Sequence, residues 1–135
     1  MKFETILPPG WPRPKGYANG VLVSGAARWL HVAGMIAWDE NENIVGEGDF
    51  GAQFEKALSN VLEVVKAAGG QASNIVSMTV YVTDKDGYEA DLASIGESWR
   101  NLIGRHYPAM ALVQVASLLE KGAMVEIEAR AALAE

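Results

Sequence analysis

The sequence predicts an α+β fold in which two helices cover one face of a mixed sheet of five or six strands. Several segments alternate between apolar and polar residues with the period of a strand, and two longer segments repeat apolar residues at helical spacing. The predicted order along the chain is β-β-β-α-β-α-β-β. The length of 135 residues fits a single domain over residues 1–135.

The N-terminal part is predicted to hold three strands. Residues 2 to 6 could form a short edge strand, and residues 8 to 16 carry four prolines and two glycines, which favours an extended loop. Strand-like alternation begins at Tyr17, and a turn at 25 to 28 leads into a second apolar run at 29 to 37. The runs on either side of this turn are predicted to pair as a hairpin.

Two helices are predicted from the spacing of apolar residues. Asp49 is a suitable N-cap for the first helix, and Gly69 and Gly70 end it. The second helix follows the DKDG turn at 84 to 87 and ends at Gly104. Their buried stripes consist of Phe50, Phe54, Ala57, Leu58, Val61, Val65 and Ala68 in the first helix and Tyr88, Leu92, Ile95, Trp99 and Leu102 in the second.

The remaining strands are predicted at 75 to 83, 109 to 118 and 124 to 133, and two helices can cover only one face of the resulting sheet. The second face is predicted to combine apolar and charged residues, namely Trp29, Met35, Met110, Leu112, Glu126 and Arg130. A half-apolar open face favours closed self-association. A solvated face with scattered apolar residues is the alternative.

Composition excludes several classes of function. The net charge is −6 and the 11 Lys and Arg residues are scattered, so no nucleic-acid partner is expected. The absence of cysteine excludes disulfides, thiolate catalysis and cysteine-based zinc sites, and it fits a reducing cytoplasm. Two histidines far apart in sequence make a metal site unexpected. The glycines of GEGDFG at 46 to 51 lack the spacing of a nucleotide-binding loop, so no cofactor is predicted.

No membrane association is expected from the sequence either. No apolar run is long enough to span a bilayer, and residues 1 to 16 lack the apolar stretch and cleavage site of a signal peptide. A cytoplasmic location is therefore expected.

Segments throughout the chain resemble one known family. They are GYANG at 16 to 20, HVAGMI at 31 to 36, AQFEKALSNVLEVVKAAGG at 52 to 70, IVSMTVYVTD at 75 to 84, YPAMALVQVA at 107 to 116 and VEIEA at 125 to 129. In this order they resemble the Rid/YjgF family, whose RidA-like members are also labelled endoribonucleases or translation inhibitors. The resemblance implies a chorismate mutase-like fold and a homotrimer with a central barrel and clefts at the subunit interfaces.

The resemblance also implies an activity and a departure from it. The best-known members hydrolyse enamines and imines that arise from amino acids, with release of ammonia and a keto acid. In that pattern residues 108 to 110 read Pro-Ala-Arg, and the arginine grips the substrate carboxylate with two donors. This chain has Met110, whose thioether cannot hold a carboxylate. Ala33 and Leu112 also replace the small polar residues of the family pattern.

Two residues match the family pattern and are the candidate catalytic groups. Glu126 corresponds to a glutamate that helps to hold the attacking water, and it could act as a general base. A structural ion pair with an arginine on a neighbouring strand is its alternative role. Tyr17 could offer its phenol to a ligand or pack on the sheet edge. Backbone amides near Gly34 could orient the ligand.

The candidate substrate-binding residues are Ala33, Gly34, Met110 and Leu112. Other charged residues are assigned structural roles: Glu128 and Arg130 are predicted to form a simple solvated or interface pair. Arg105 could replace the missing arginine, although a charge at the end of a helix is the better explanation for it. His31 is predicted to be a packing residue.

The sequence therefore predicts an enamine/imine deaminase-type hydrolase that acts on a small, relatively apolar metabolite at a subunit interface. The alternative is a non-catalytic, small-molecule-binding trimer of the same fold. The acidic net charge does not support a ribonuclease activity.

Overall fold

Six strands and three α-helices make up the fold in a computed structural model that describes residues 1–135. The strands are β1 (Lys2–Ile6), β2 (Gly20–Ser24), β3 (Arg28–Met35), β4 (Ile75–Val82), β5 (Ala109–Gln114) and β6 (Val125–Leu133). The helices are α1 (Phe50–Ala67), α2 (Lys85–Ala90) and α3 (Leu92–Leu102), with a 3-10 turn at Ala72–Asn74. The predicted α+β class is confirmed, and the elements follow the predicted order except that two helices, not one, lie between β4 and β5.

The strands form one mixed sheet of four strands and one separate pair. The larger sheet has the order β3-β6-β4-β5, in which β6 is antiparallel to both β3 and β4, and β4 is parallel to β5. The smaller sheet pairs β1 with β2. The six predicted strands are thus present, but they are divided between two sheets.

The predicted hairpin between β2 and β3 is wrong, because β2 pairs with β1 instead. The Ala18 amide donates to the Pro108 carbonyl at 3.0 Å, which holds the chain before β2 beside the start of β5. Strand β3 begins at the opposite edge of the sheet, where Arg28 faces Leu133. The segment between Ala18 and Arg28 therefore crosses the end of the sheet, so β2 cannot fold back along β3.

The predicted second helix is divided in two at Asp91. This residue has non-helical backbone angles, and its carboxylate accepts a hydrogen bond from the Gly51 amide in the first turn of α1 at 3.1 Å. Asp49 is the N-cap of α1 as predicted, since its side chain accepts from the Ala52 amide at 3.1 Å. Two aspartates therefore hold the N-terminus of α1, and Asp91 also joins it to the start of α3.

The hydrophobic core lies between the helices and the four-stranded sheet. It contains the predicted stripe of α1 together with the inward residues of β4 and β6, for example Val61, Val80 and Ile127. None of the three helices has the length and apolar content that crossing a lipid bilayer requires.

The other face of the four-stranded sheet is not covered by helices. Thr79 pairs with Glu128 and Tyr81 pairs with Glu126 on this open face, as alternation along the strands requires. Trp29 also lies on this side, next to Ala132, and 54% of its surface is exposed.

Three residues predicted for the open face lie on the helix side instead. Met110 and Leu112 pair with Met78 and Val80, whose side chains enter the core, so the β5 residues point the same way. Met35 pairs with Ile127 because a register shift between Val32 and Met35 inserts an extra residue and reverses the alternation. The open face is consequently more polar than the sequence predicts.

Gln53 is a completely buried polar residue of α1 and joins two loops. Its Nε2 donates to the Gly46 carbonyl at 3.2 Å and to the Gly122 carbonyl at 3.0 Å, and its Oε1 accepts from the Met124 amide at 2.9 Å. The loop before α1 and the turn before β6 are thereby held at fixed positions.

We expect Gln53→Met to lower the free energy of unfolding by about 3 kcal/mol. The backbone groups that bond to Gln53 lose their hydrogen-bond partner, and each buried group left unpaired costs roughly 1–3 kcal/mol. Urea denaturation measures the change. Lys66→Met is the control on the exposed face of α1 and should change the stability by about 0.5 kcal/mol or less. Equal midpoints for Gln53→Met and the unmodified protein would contradict this role.

Candidate functional site

A cavity of about 250 Å³ lies beside the predicted general base, Glu126. Its walls come from β3 and the loop that follows, from Asn60 on α1, from Glu126 on β6 and from the turn before β6. Glu126 is half-buried, and no hydrogen bond or ion pair within the subunit engages its carboxylate. The predicted alternative, an ion pair with an arginine, is therefore not observed.

Gly34 makes room for the Glu126 side chain. A Cβ atom at Gly34 would lie 2.7 Å from Cδ and from Oε1 of Glu126, which is closer than any side chain tolerates. The carboxylate therefore rests directly against the β3 backbone at the register shift. A side chain at position 34 would displace the Glu126 carboxylate, so Gly34 belongs to the site through its missing side chain.

Asn60 fixes the wall of this cavity from α1. Its Nδ2 donates to the Ile36 carbonyl at 2.9 Å and to the Trp38 carbonyl at 2.8 Å. The indole Nε1 of Trp38 is buried and has no hydrogen-bond partner within the subunit. Asn60 was not among the predicted site residues, although its position next to the apolar stripe of α1 was a detectable signal.

A second polar cluster occupies the centre of the open face. The Tyr81 hydroxyl donates to Glu128 Oε1 at 2.8 Å, beside a cavity of about 360 Å³ that Ala33, His31 and Arg130 also line. The hydrogen bond to Glu128 raises the pKa of Tyr81, with contributions from partial burial and from the charges of Glu128 and Glu126. Glu128 and Arg130 form no ion pair within the chain, where Glu128 accepts the hydrogen bond from Tyr81.

Met110 and Leu112 line a different cavity, of about 470 Å³, between β5 and the helices. Most of its lining is apolar, and the exceptions include Lys15 and Arg100. Because this cavity lies on the helix side of the sheet, Met110 and Glu126 do not meet within one chain.

Tyr17 lies in a third cavity, of about 850 Å³, between the N-terminal strands and the segment that precedes β5. Arg13, Arg105 and His106 line it as well. The Nε2 of His106 lies 2.6 Å from the Ile75 carbonyl, so this ring is held by the backbone. Arg105 does not line the Met110 cavity, although the two cavities adjoin.

The structure thus separates the predicted site residues into three groups. Ala33, Gly34 and Glu126 lie on the open face, Met110 and Leu112 on the helix side, and Tyr17 in the N-terminal cavity. No three His, Asp or Glu side chains lie close enough together to hold a metal ion.

A mixed sheet with helices on one face and an open second face is the YjgF-like α+β fold. The family model described as Endoribonuclease L-PSP matches residues 13–133. The chain belongs to this family, which is the Rid/YjgF family, and the predicted family is confirmed.

Relatives and solved structures support this assignment. A human protein named 2-iminobutanoate/2-iminopropanoate deaminase is 33% identical over 127 residues, which are 94% of this chain and 85% of the human protein. A Rid family protein of unknown function from Yersinia pestis has a TM-score of 0.85 at 32% identity, over 98% of this chain and 100% of that chain. TdcF of E. coli, solved with bound serine, has a TM-score of 0.67 at 32% identity, over 91% of this chain and 93% of that chain.

The raised pKa of Tyr81 predicts a distinct alkaline transition. The folded state holds this phenolic proton above the ordinary pKa of 10.0, so the associated stability is present below that pH and is lost as pH rises further. Ultraviolet titration of tyrosinate should show a component above pH 10.0 that Tyr81→Phe removes. Glu128→Gln should shift that component towards lower pH, and an unchanged titration in both variants would contradict the assignment.

Proposed function

We propose that this protein is a RidA-like imine/enamine deaminase-type hydrolase that acts on a small, relatively apolar metabolite. The observation that carries the proposal is the Glu126 carboxylate, which has no partner in its own subunit and rests against Gly34 at a cavity. The similarity to the human protein named 2-iminobutanoate/2-iminopropanoate deaminase supports the same reaction class.

The proposed reaction is the addition of water to a C=N bond. Glu126 accepts a proton from the water as its oxygen bonds to the imine carbon. The same carboxyl group then returns this proton to the nitrogen, which gives a carbinolamine. Glu126 next moves the hydroxyl proton of the carbinolamine to the amine nitrogen, the C–N bond breaks, and a carbonyl compound and ammonia are released. Backbone amides near Gly34 would orient the ligand. The reaction requires neither an oxidant nor a metal.

The substrate preference follows from position 110. In the family pattern this position holds the arginine that grips the carboxylate of a 2-imino acid, and here it is Met110. Met110 and Leu112 form an apolar wall, so we expect weak activity on small imines whose carboxylate is attached to the reacting carbon.

We propose that the complete site forms between subunits of a homotrimer. Glu126 lies on the open face and the Met110 cavity lies on the other side of the sheet, so one ligand can contact both only if they come from different chains. The uncovered face with the exposed Trp29 supports self-association. The number of subunits rests on the family resemblance.

Imines generated in situ by an amino-acid oxidase test the activity. We expect faster ammonia release from the imine of phenylalanine and little acceleration with the imine of alanine or with 2-aminoacrylate. Glu126→Gln should lower the rate by about a hundredfold, because it removes the proton acceptor. Glu128→Gln is the matched control on the same strand and face, and its rate should stay within about twofold, since its carboxylate is already engaged by Tyr81.

Two results would contradict this proposal. Equal rates for Glu126→Gln and Glu128→Gln would favour a non-catalytic, small-molecule-binding protein. Rapid hydrolysis of 2-aminoacrylate would contradict the role given to Met110. If Met110→Arg gains activity on 2-aminoacrylate, the fold and Glu126 can support hydrolysis, and the unmodified protein lacks only the arginine that binds the carboxylate.

Size-exclusion chromatography with light scattering tests the assembly. The expected mass is three times the 14.5 kDa of one chain, because the open face then has a partner. A stable monomer at micromolar concentration would contradict the homotrimer.

A further inference from the structure

We propose that the cavity beside Met110 binds ligands with an apolar or aromatic body and a remote carboxylate, and that Arg100 grips this carboxylate at the cavity rim. The inference specifies the substrate class of the proposed hydrolase. Its claim about ligand binding stands by itself, and only the claim that the bound ligand is hydrolysed rests on the proposed function.

The walls of the cavity suit an apolar body. Its volume of about 470 Å³ is in the range of small-ligand sites. The apolar lining comes from β4, β5, the segment before β5 and all three helices, and consists of Phe54, Val80, Tyr88, Leu92, Ile95, Trp99, Tyr107, Met110 and Leu112. Half of the surface of Leu92 is exposed (51%), which leaves apolar surface open to a ligand.

Within one chain, the charges around the cavity have one sign. Lys15 and Arg100 are its only charged lining residues, and no aspartate or glutamate lines it. Neither cation forms an ion pair in the subunit. In a chain with a net charge of −6, an apolar cavity with two unpaired cations at its edge is suited to an organic anion.

The position of the Arg100 side chain depends on Gly96, one turn earlier in α3. The guanidinium Nη1 lies 3.3 Å from the place that a Cβ of Gly96 would occupy, so the side chain folds back along the helix. Both residues line the cavity. Glycine is unfavourable inside a helix, and here its missing side chain opens the rim and leaves room for Arg100.

Arg100 is a better candidate for this role than the other arginine near the end of α3. Arg105 lines the neighbouring cavity with Tyr17 and does not reach Met110. Arg100 also differs from Lys15 in offering a planar pair of donors that matches a carboxylate. The carboxylate and the apolar body would therefore lie at opposite ends of the bound molecule.

Isothermal titration of the intact protein with phenylpropionate, its neutral amide and acetate tests the inference. Phenylpropionate should bind at least about tenfold more tightly than the amide, because only the acid makes a charge-assisted bond to Arg100. Acetate should bind more weakly than either, since it lacks the apolar body. Arg100→Gln should remove the preference for the acid and leave the affinity for the amide unchanged.

Arg105→Gln is the matched control, an exposed arginine five residues further along that lines the adjacent cavity, and it should bind all three compounds as the unmodified protein does. Equal affinities for acid and amide, retention of the preference in Arg100→Gln, or acetate binding as tight as phenylpropionate would each overturn the inference. Hydrolysis is measured separately. If the protein binds the acid more tightly than the amide but hydrolyses no imine, only the proposed function is contradicted. If it hydrolyses imines without preferring the acid, only this inference is contradicted.

Discussion

Hydrogen bonding on both edges of β6 holds the molecule together, because this strand joins β3 to β4 and so carries the sheet across its centre. Its alternation also divides the molecule chemically. Ile127 and its neighbours of the same parity enter the core under α1, while Glu126 and Glu128 face the uncovered side. A one-residue slip would bury two carboxylates and expose the core residues, so the register of β6 is strongly determined.

The contact between Glu126 and Gly34 follows from that register. Strand β3 shifts its own register near Gly34, and the carboxylate of Glu126 occupies the space that a side chain would otherwise fill. Asn60 holds the next stretch of chain from the helix layer. An acidic group with no partner in its own chain therefore lies against the β3 backbone, at a cavity whose wall is held by a helix, an arrangement suited to proton transfer.

The two faces of the sheet separate the two tasks of the proposed reaction. The open face carries the carboxylates, and the helix side carries an apolar cavity with cations at its rim. The family resemblance implies that a carboxylate is bound from position 110 in other members, and here Met110 contributes to an apolar wall. A cation at the cavity rim, away from position 110, would suit a longer ligand, since the charged end and the apolar end of that ligand would be bound at separate points.

Periodicity along the sequence determined the elements, the helix caps and the inward residues of α1, β4 and β6, because these depend on neighbours within a few residues. The match of ordered segments likewise determined the family. Only the tertiary structure decided that β2 pairs with β1, that Asp91 divides the second helix, and that Met35 and Met110 lie on the helix side. The side on which a strand residue lies depends on its pairing partner and on register shifts, and those are set by contacts between residues far apart in the chain.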